Sequence, residues 1–169
     1  MINRIKNHKI LSKYVEDTCC ENEICVTFDA GILPSSYAII KVDKFYNELK
    51  LGKNTPASID CLIIRECIKT GYGLTLELKN IGSGKGFEID NMIEKFETTL
   101  YDFIKKRFKN PLDIHYSEIR LYFVSKQEIY KRDLGLKMEV LINIKFRYND
   151  RVLMIRPEMP TPTIKNCYS

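Results

Sequence analysis

The chain reads as a single α/β domain, a mixed central sheet flanked by helices. Three observations predict this. Strand-like apolar segments recur between turn formers, one long segment carries an apolar stripe at helical spacing, and no linker or repeat divides the chain. With 169 residues, 44% hydrophobic and 29% charged, the chain is large enough to enclose a core.

From the N-terminus, Ile5, Ile10, Leu11, Tyr14 and Val15 lie near helical spacing with charges between them, predicting an amphipathic helix over 3–20. Residues 24–28 and 37–45 read as strands around the turn-rich Asp29-Ala30-Gly31-Ile32-Leu33-Pro34. Residues 51–57, with Gly52, Asn54 and Pro56, form a loop. Strands follow at 58–65 and 73–80, joined by a turn at Gly71-Tyr72-Gly73.

After the glycine-rich 81–86, Ile89, Ile93, Phe96, Leu100, Phe103 and Ile104 mark a helix over 88–108, which Pro111 stops. Its last turns hold Lys105, Lys106, Arg107 and Lys109, as suits a helix C-terminus. A strand at 118–125 and a hairpin of 137–148 with 151–156, turning at Tyr148-Asn149-Asp150-Arg151, complete the order. Residues 157–169 read as an extended, mobile tail.

The net charge of +5 is compatible with a polyanionic partner. No apolar run is long enough to span a bilayer, and the polar N-terminus lacks a signal peptide's apolar stretch. The expected location is therefore the cytoplasm, with the six cysteines as reduced thiols and Cys61 acting as a small core hydrophobe. No cysteine–histidine spacing points to zinc, and His8 and His115 are the only histidines. No nucleophile elbow occurs. The stretch Gly82-Ser83-Gly84-Lys85-Gly86 is not a nucleotide-binding phosphate loop. Lys79 stands where the first glycine belongs, and Gly86 replaces the hydroxyl residue. Lys85 and the loop amides are instead candidates for a substrate phosphate, as are Lys105, Lys106 and Arg107.

The chemistry concentrates elsewhere. On the strand over 73–80, side chains alternate, so Leu74, Leu76 and Leu78 share one face and Thr75, Glu77 and Lys79 the other. If it pairs with the strand beginning near Asp60, two carboxylates and an ammonium converge. Such oxygen ligands hold Mg²⁺ or Mn²⁺, and the lysine can position an attacking water.

With Asp60 as first acid and Glu77-Leu78-Lys79 as second acid and lysine, residues 3–125 resemble the PD-(D/E)xK nuclease superfamily, which includes restriction endonucleases and Holliday-junction resolvases. The resemblance implies a restriction-endonuclease-like αβββαβ core and metal-dependent hydrolysis of DNA phosphodiesters by a homodimer. It implies Asp60, Glu77 and the Leu78 carbonyl as ligands of Mg²⁺ or Mn²⁺, Lys79 at the water, and a further acid on the first helix. Glu16 is the candidate for that acid, with Glu21 and Glu23 behind it. The alternative is a non-catalytic nucleic-acid-binding or protein-assembly module on the same scaffold. No membrane and no nucleotide cofactor enter either reading.

Overall fold

The computed structural model describes residues 1–21, 23–67, 71–80, 88–125 and 135–167, with side chains described for all of these except Asn80 and residues 135–138. Within them a seven-stranded mixed sheet is flanked by helices, as the patterning predicts, in the order β1 (Val15–Glu16), β5 (Tyr37–Lys41), β6 (Cys61–Cys67), β7 (Gly71–Asn80), β8 (Glu118–Ser125), β10 (Arg151–Glu158), β9 (Lys145–Tyr148). Its centre is an antiparallel run of β5 (Tyr37–Lys41), β6 (Cys61–Cys67) and β7 (Gly71–Asn80). The chain then crosses through helix and returns as β8 (Glu118–Ser125), parallel to β7, with β10 (Arg151–Glu158) parallel to β8.

Residues of alternate parity sort onto two faces. Leu62, Ile64, Leu74, Leu76, Leu78, Leu121 and Phe123 belong to the larger core. There they meet α3 (Ile89–Glu97) and the π-helical turns Thr98–Arg107 that prolong it, through Met92, Phe96, Leu100, Phe103 and Ile104. The predicted helix over 88–108 is thus present. Its π character shows where Phe108 N–H donates to the Phe103 carbonyl at 3.0 Å, one residue beyond the α-helical partner. The stop comes at Phe108 (φ −120°, ψ 36°), and Pro111 lies inside the short α4 (Lys109–Leu112) that follows.

The second face carries a smaller core of Cys19, Ile24, Val26, Ile39, Cys61, Ile63, Tyr122, Val124 and Ile164. Its cover comes from chain segments far apart in sequence. Strand β2 (Cys20–Glu21) pairs with β3 (Ile24–Cys25), and β4 (Thr27–Phe28) runs parallel to β11 (Thr163–Ile164).

Several expectations are corrected here. The N-terminal helix over 3–20 is only α1 (Ile2–Lys6), followed by a 3₁₀ turn at Leu11–Tyr14 and the edge strand β1 (Val15–Glu16). The His8 Nδ1 accepts the backbone N–H groups of Ile10 and Leu11 at 3.2 Å each, a local alternative to helical hydrogen bonding. Residues 24–28 divide between two small sheets, and the strand expected over 37–45 ends at Lys41, giving way to α2 (Val42–Glu48). Gly71 already opens β7, and the connection before it, 68–70, lies outside the described residues.

The C-terminal hairpin exists, with its turn as predicted. Asn149 and Asp150 both take positive φ (46° and 61°), the geometry of a two-residue hairpin loop. Its first arm is shorter than expected, because Gly135–Asn143 is a helix, α5, and only β9 (Lys145–Tyr148) pairs with β10. The tail over 157–169 is not a free end. Ile164 is fully buried, and Cys167 is bonded to Cys67. The remaining cysteines pair as Cys19–Cys61 and Cys20–Cys25, so the expected reduced thiols are disulfides.

One ionic centre stabilises the sheet within its second face. Arg65, fully buried, lies against Gly73, its partner across β6–β7, and donates to Glu118 Oε2 at 2.5 Å and Thr75 Oγ1 at 3.3 Å. Arg120 Nε donates to the other Glu118 oxygen at 2.7 Å. A Cβ at position 73 would sit 2.8 Å from the Arg65 guanidinium carbon. Gly73→Ala is therefore expected to destabilise the fold by about 1–3 kcal/mol through overpacking. Glu118→Gln, which leaves the buried Arg65 without its counter-charge, should cost about 3–5 kcal/mol. Urea unfolding of both variants measures these losses, and wild-type midpoints would refute the assignment.

Candidate active site

The β6–β7 register fixes the site. Cys61 stands directly opposite Glu77, and one residue earlier the Asp60 N–H donates to the Glu77 carbonyl at 3.1 Å. Asp60 Oδ2 accepts the backbone N–H of Lys79 at 2.6 Å, so the carboxylate is held at the end of β7 by main chain. Glu77 and Lys79 share the face opposite Leu76 and Leu78, as alternation predicts, and Lys79 Nζ lies 3.5 Å from Glu77 Oε2. The structure thus brings Asp60, Glu77 and Lys79 together.

The surroundings differ from the solvated face that an alternating strand ordinarily presents. The Glu77 and Lys79 side chains are fully buried, whereas Asp60 is only partly so. Their cover is Cys19. Its carbonyl accepts Lys79 Nζ at 2.8 Å, and its Sγ lies 2.6 Å from Glu77 Oε2 and 3.2 Å from Lys79 Nζ. The Cys19–Cys61 disulfide fastens that cover to the strand opposite Glu77. Among the described residues, Glu77 Oε1 is buried with no hydrogen-bond partner.

Burial and like charge raise both acids. Burial pushes the Glu77 carboxyl up to about 7; Lys79 pulls it down, and the Asp60 charge adds to the rise. Asp60 is raised to about 6, again chiefly by burial; the Lys79 N–H opposes this, and the charges of Glu21 and Asp43 reinforce it. Lys41 and Lys95 are the more distant cations that favour the ionised forms of Glu77 and Asp60 respectively. With both carboxyls ionised, the Lys79 ammonium matches only one of the two negative charges, and an added cation would favour the ionised forms. The hard oxygen donors and the orphaned Glu77 Oε1 fit such an ion.

The other candidates divide. Glu16 is on the edge strand β1, not a helix, and forms an exposed ion pair with Lys44 at 3.1 Å. The acids whose charges reach Asp60 are Glu21 and Asp43, the latter in the first turn of α2. Leu78 points its side chain into the helix-covered core. Lys106 and Arg107 both pair with Asp102, and Lys105 lies 4.8 Å over the Tyr148 ring, beside a 560 Å³ groove that Arg147 and Arg151 also line. Lys85 is outside the described residues. Sequence reading missed Asp43 and Cys19. Asp43 lay inside the segment 37–45 read as a strand and gave no signal, and Cys19 gave none, because only tertiary packing lays it over Glu77.

The raised carboxyls set a pH dependence. Each holds its proton to higher pH in the folded chain than in the unfolded one, where the ordinary values are 3.8 for Asp60 and 4.5 for Glu77. The folded state therefore binds more protons, and stability falls as pH rises from those values through about 6 and about 7. Glu77→Gln should flatten the upper part of this decline in denaturant unfolding measured from about pH 4 to about pH 8. An unchanged slope in the variant would show that Glu77 does not titrate in this range.

No family model matches this chain, and neither the curated proteins nor the solved structures contain a significant match to it.

Proposed function

We propose that the chain is a metal-dependent endonuclease that hydrolyses DNA phosphodiester bonds, on a restriction-endonuclease-like core. The observation that carries this reading is the convergence of Asp60, Glu77 and Lys79 at the end of β7, with a buried Glu77 oxygen that has no hydrogen-bond partner among the described residues. The antiparallel β5-β6-β7 run, the helical crossover and the parallel β8 support it as a scaffold.

Asp60 and Glu77 would hold Mg²⁺ or Mn²⁺, with the Leu78 carbonyl as a further ligand. When bound, the ion would supply Lewis-acid activation of the phosphate and lower the pKa of a coordinated water. The chain's own residues do the rest. The Lys79 main chain orients the Asp60 carboxylate through its N–H, and the Lys79 ammonium, once released from the Cys19 carbonyl, would position the water and offset charge on the phosphoryl oxygens. Lys85 and Lys105 are the proposed phosphate contacts, with Lys106 and Arg107 joining them when released from Asp102. A homodimer would address the two strands of a duplex. A cytoplasmic setting belongs to the same proposal, and the three disulfides set a condition on it, because cytosolic thiols are ordinarily kept reduced. Among the described residues no helix is long and apolar enough to cross a membrane.

One observation favours a second reading, the non-catalytic nucleic-acid-binding or assembly module. Glu77 and Lys79 lie sealed under Cys19, and catalysis requires that cover to lift, whereas a binding scaffold does not. Cleavage of supercoiled plasmid and branched DNA with Mg²⁺ or Mn²⁺, in oxidising and reducing buffer, separates the two. The nuclease reading expects cutting that Asp60→Ala and Lys79→Ala each reduce by about a hundredfold or more. Activity that survives both substitutions, or DNA retention without cleavage under either condition, would overturn it.

A further inference from the structure

The same cover contains a donor set of different chemistry. Cys19 Sγ, Cys61 Sγ and a Glu77 carboxylate oxygen lie within 4.8 Å of one another, all on fully buried side chains. Two thiolates and a carboxylate on a tetrahedral zinc ion, with Zn–S near 2.3 Å, place their ligand atoms about 3.7 Å apart. Opening the disulfide is the change that gives the two sulfurs that spacing. A second, independent feature points to a ligand here. Glu77 Oε1 is buried and has no hydrogen-bond partner among the described residues, on the carboxylate whose other oxygen already faces Cys19 Sγ.

Charge argues for a dication. Two thiolates and one carboxylate carry three negative charges. The Lys79 ammonium, 3.2 Å from Cys19 Sγ and 3.5 Å from Glu77 Oε2, supplies one positive charge. A divalent ion supplies the remaining two, leaving the buried cluster neutral, as a low-dielectric interior demands. Soft sulfur donors select zinc over magnesium.

We infer that, once the Cys19–Cys61 disulfide is reduced, Cys19, Cys61 and Glu77 form a zinc site with an open fourth position. Reduction by a dithiol transfers two electrons to the disulfide, yielding two thiols here and one disulfide in the reductant. Zinc then displaces the two thiol protons to solvent, without further redox change. Cys19 belongs to a stretch without regular structure, between β1 and the two-residue β2, and local opening of that stretch gives the ion its way in. The inference does not rest on the nuclease reading, since it concerns binding in the reduced chain alone.

The test uses the full chain, reduced with a phosphine under anaerobic conditions and titrated with Co²⁺ as a spectroscopic stand-in for Zn²⁺. Wild type should develop a thiolate-to-cobalt absorption band, abolished by added Zn²⁺, while the oxidised chain shows none. Cys19→Ser and Cys61→Ser should each lose at least half the band, and Glu77→Gln should weaken Co²⁺ binding tenfold or more. Cys20→Ser and Cys67→Ser should leave the band intact, excluding the other thiols as its source. Zn²⁺ should also raise the melting temperature of the reduced chain but not of the oxidised one. A band that persists in both Cys19→Ser and Cys61→Ser would overturn the inference. So would a reduced wild type that binds no Co²⁺, or one that has lost its fold and is not restored by Zn²⁺. Cleavage in oxidised protein with Mg²⁺ is a separate measurement, so either idea can fail alone.

Discussion

The pairing of β6 with β7 is the constraint on which the rest of this structure depends. Because Cys61 faces Glu77, a shift of one residue would carry Leu74, Leu76 and Leu78 out of the helix-covered core and put Thr75, Glu77 and Lys79 into it. The hydrophobic demand of the α3 face therefore fixes where the charges go. Asp60 adds a polar lock to the same register, since its side chain accepts the Lys79 N–H just beyond the paired residues. Packing on one face thereby sets the chemistry of the other.

That second face is unusual in how it handles charge. At one end of β7, Arg65, Glu118 and Arg120 form a cluster in which both carboxylate oxygens of Glu118 are engaged. At the other end, Glu77 and Lys79 are equally buried, yet Glu77 Oε1 has no partner and the Asp60 charge lies nearby. In the first arrangement the carboxylate is matched on both sides and reads as architecture, although Arg65 Nε is itself buried without a hydrogen-bond partner among the described residues. The second is incomplete, and the incompleteness is what makes it a candidate for binding an ion. The disulfide-fastened Cys19 keeps that incomplete centre away from water.

Much of the local structure was legible in the chain. Alternation in Leu74–Lys79 located the faces of β7, the stripe from Ile89 to Ile104 located the long helix, and Asn149-Asp150 marked the hairpin turn. Those signals are short-range and follow from strand and helix periods. What escaped was non-local. Nothing near Glu77 announces that Cys19 comes to lie over it, that Val26 and Ile164 join the smaller core, or that Cys67 is bonded to a residue 100 positions away. The N-terminal periodicity misled for the opposite reason: His8 satisfies two backbone donors locally and turns the chain before a second helical turn can form. Glu16 was misplaced along with it, and Glu21 and Asp43 proved to be the acids that act on Asp60.

The central claim is that the Asp60–Glu77 pair is a divalent-metal site, and occupancy tests it more directly than turnover does. Mn²⁺ binding, followed by electron paramagnetic resonance in oxidising and in reducing buffer because the Cys19 cover must lift, should show one ion per chain in at least one condition, displaced by Mg²⁺ and lost in both Asp60→Asn and Glu77→Gln. Wild type that binds no Mn²⁺ in either buffer, or binding that is equally good in the two variants, would contradict the account.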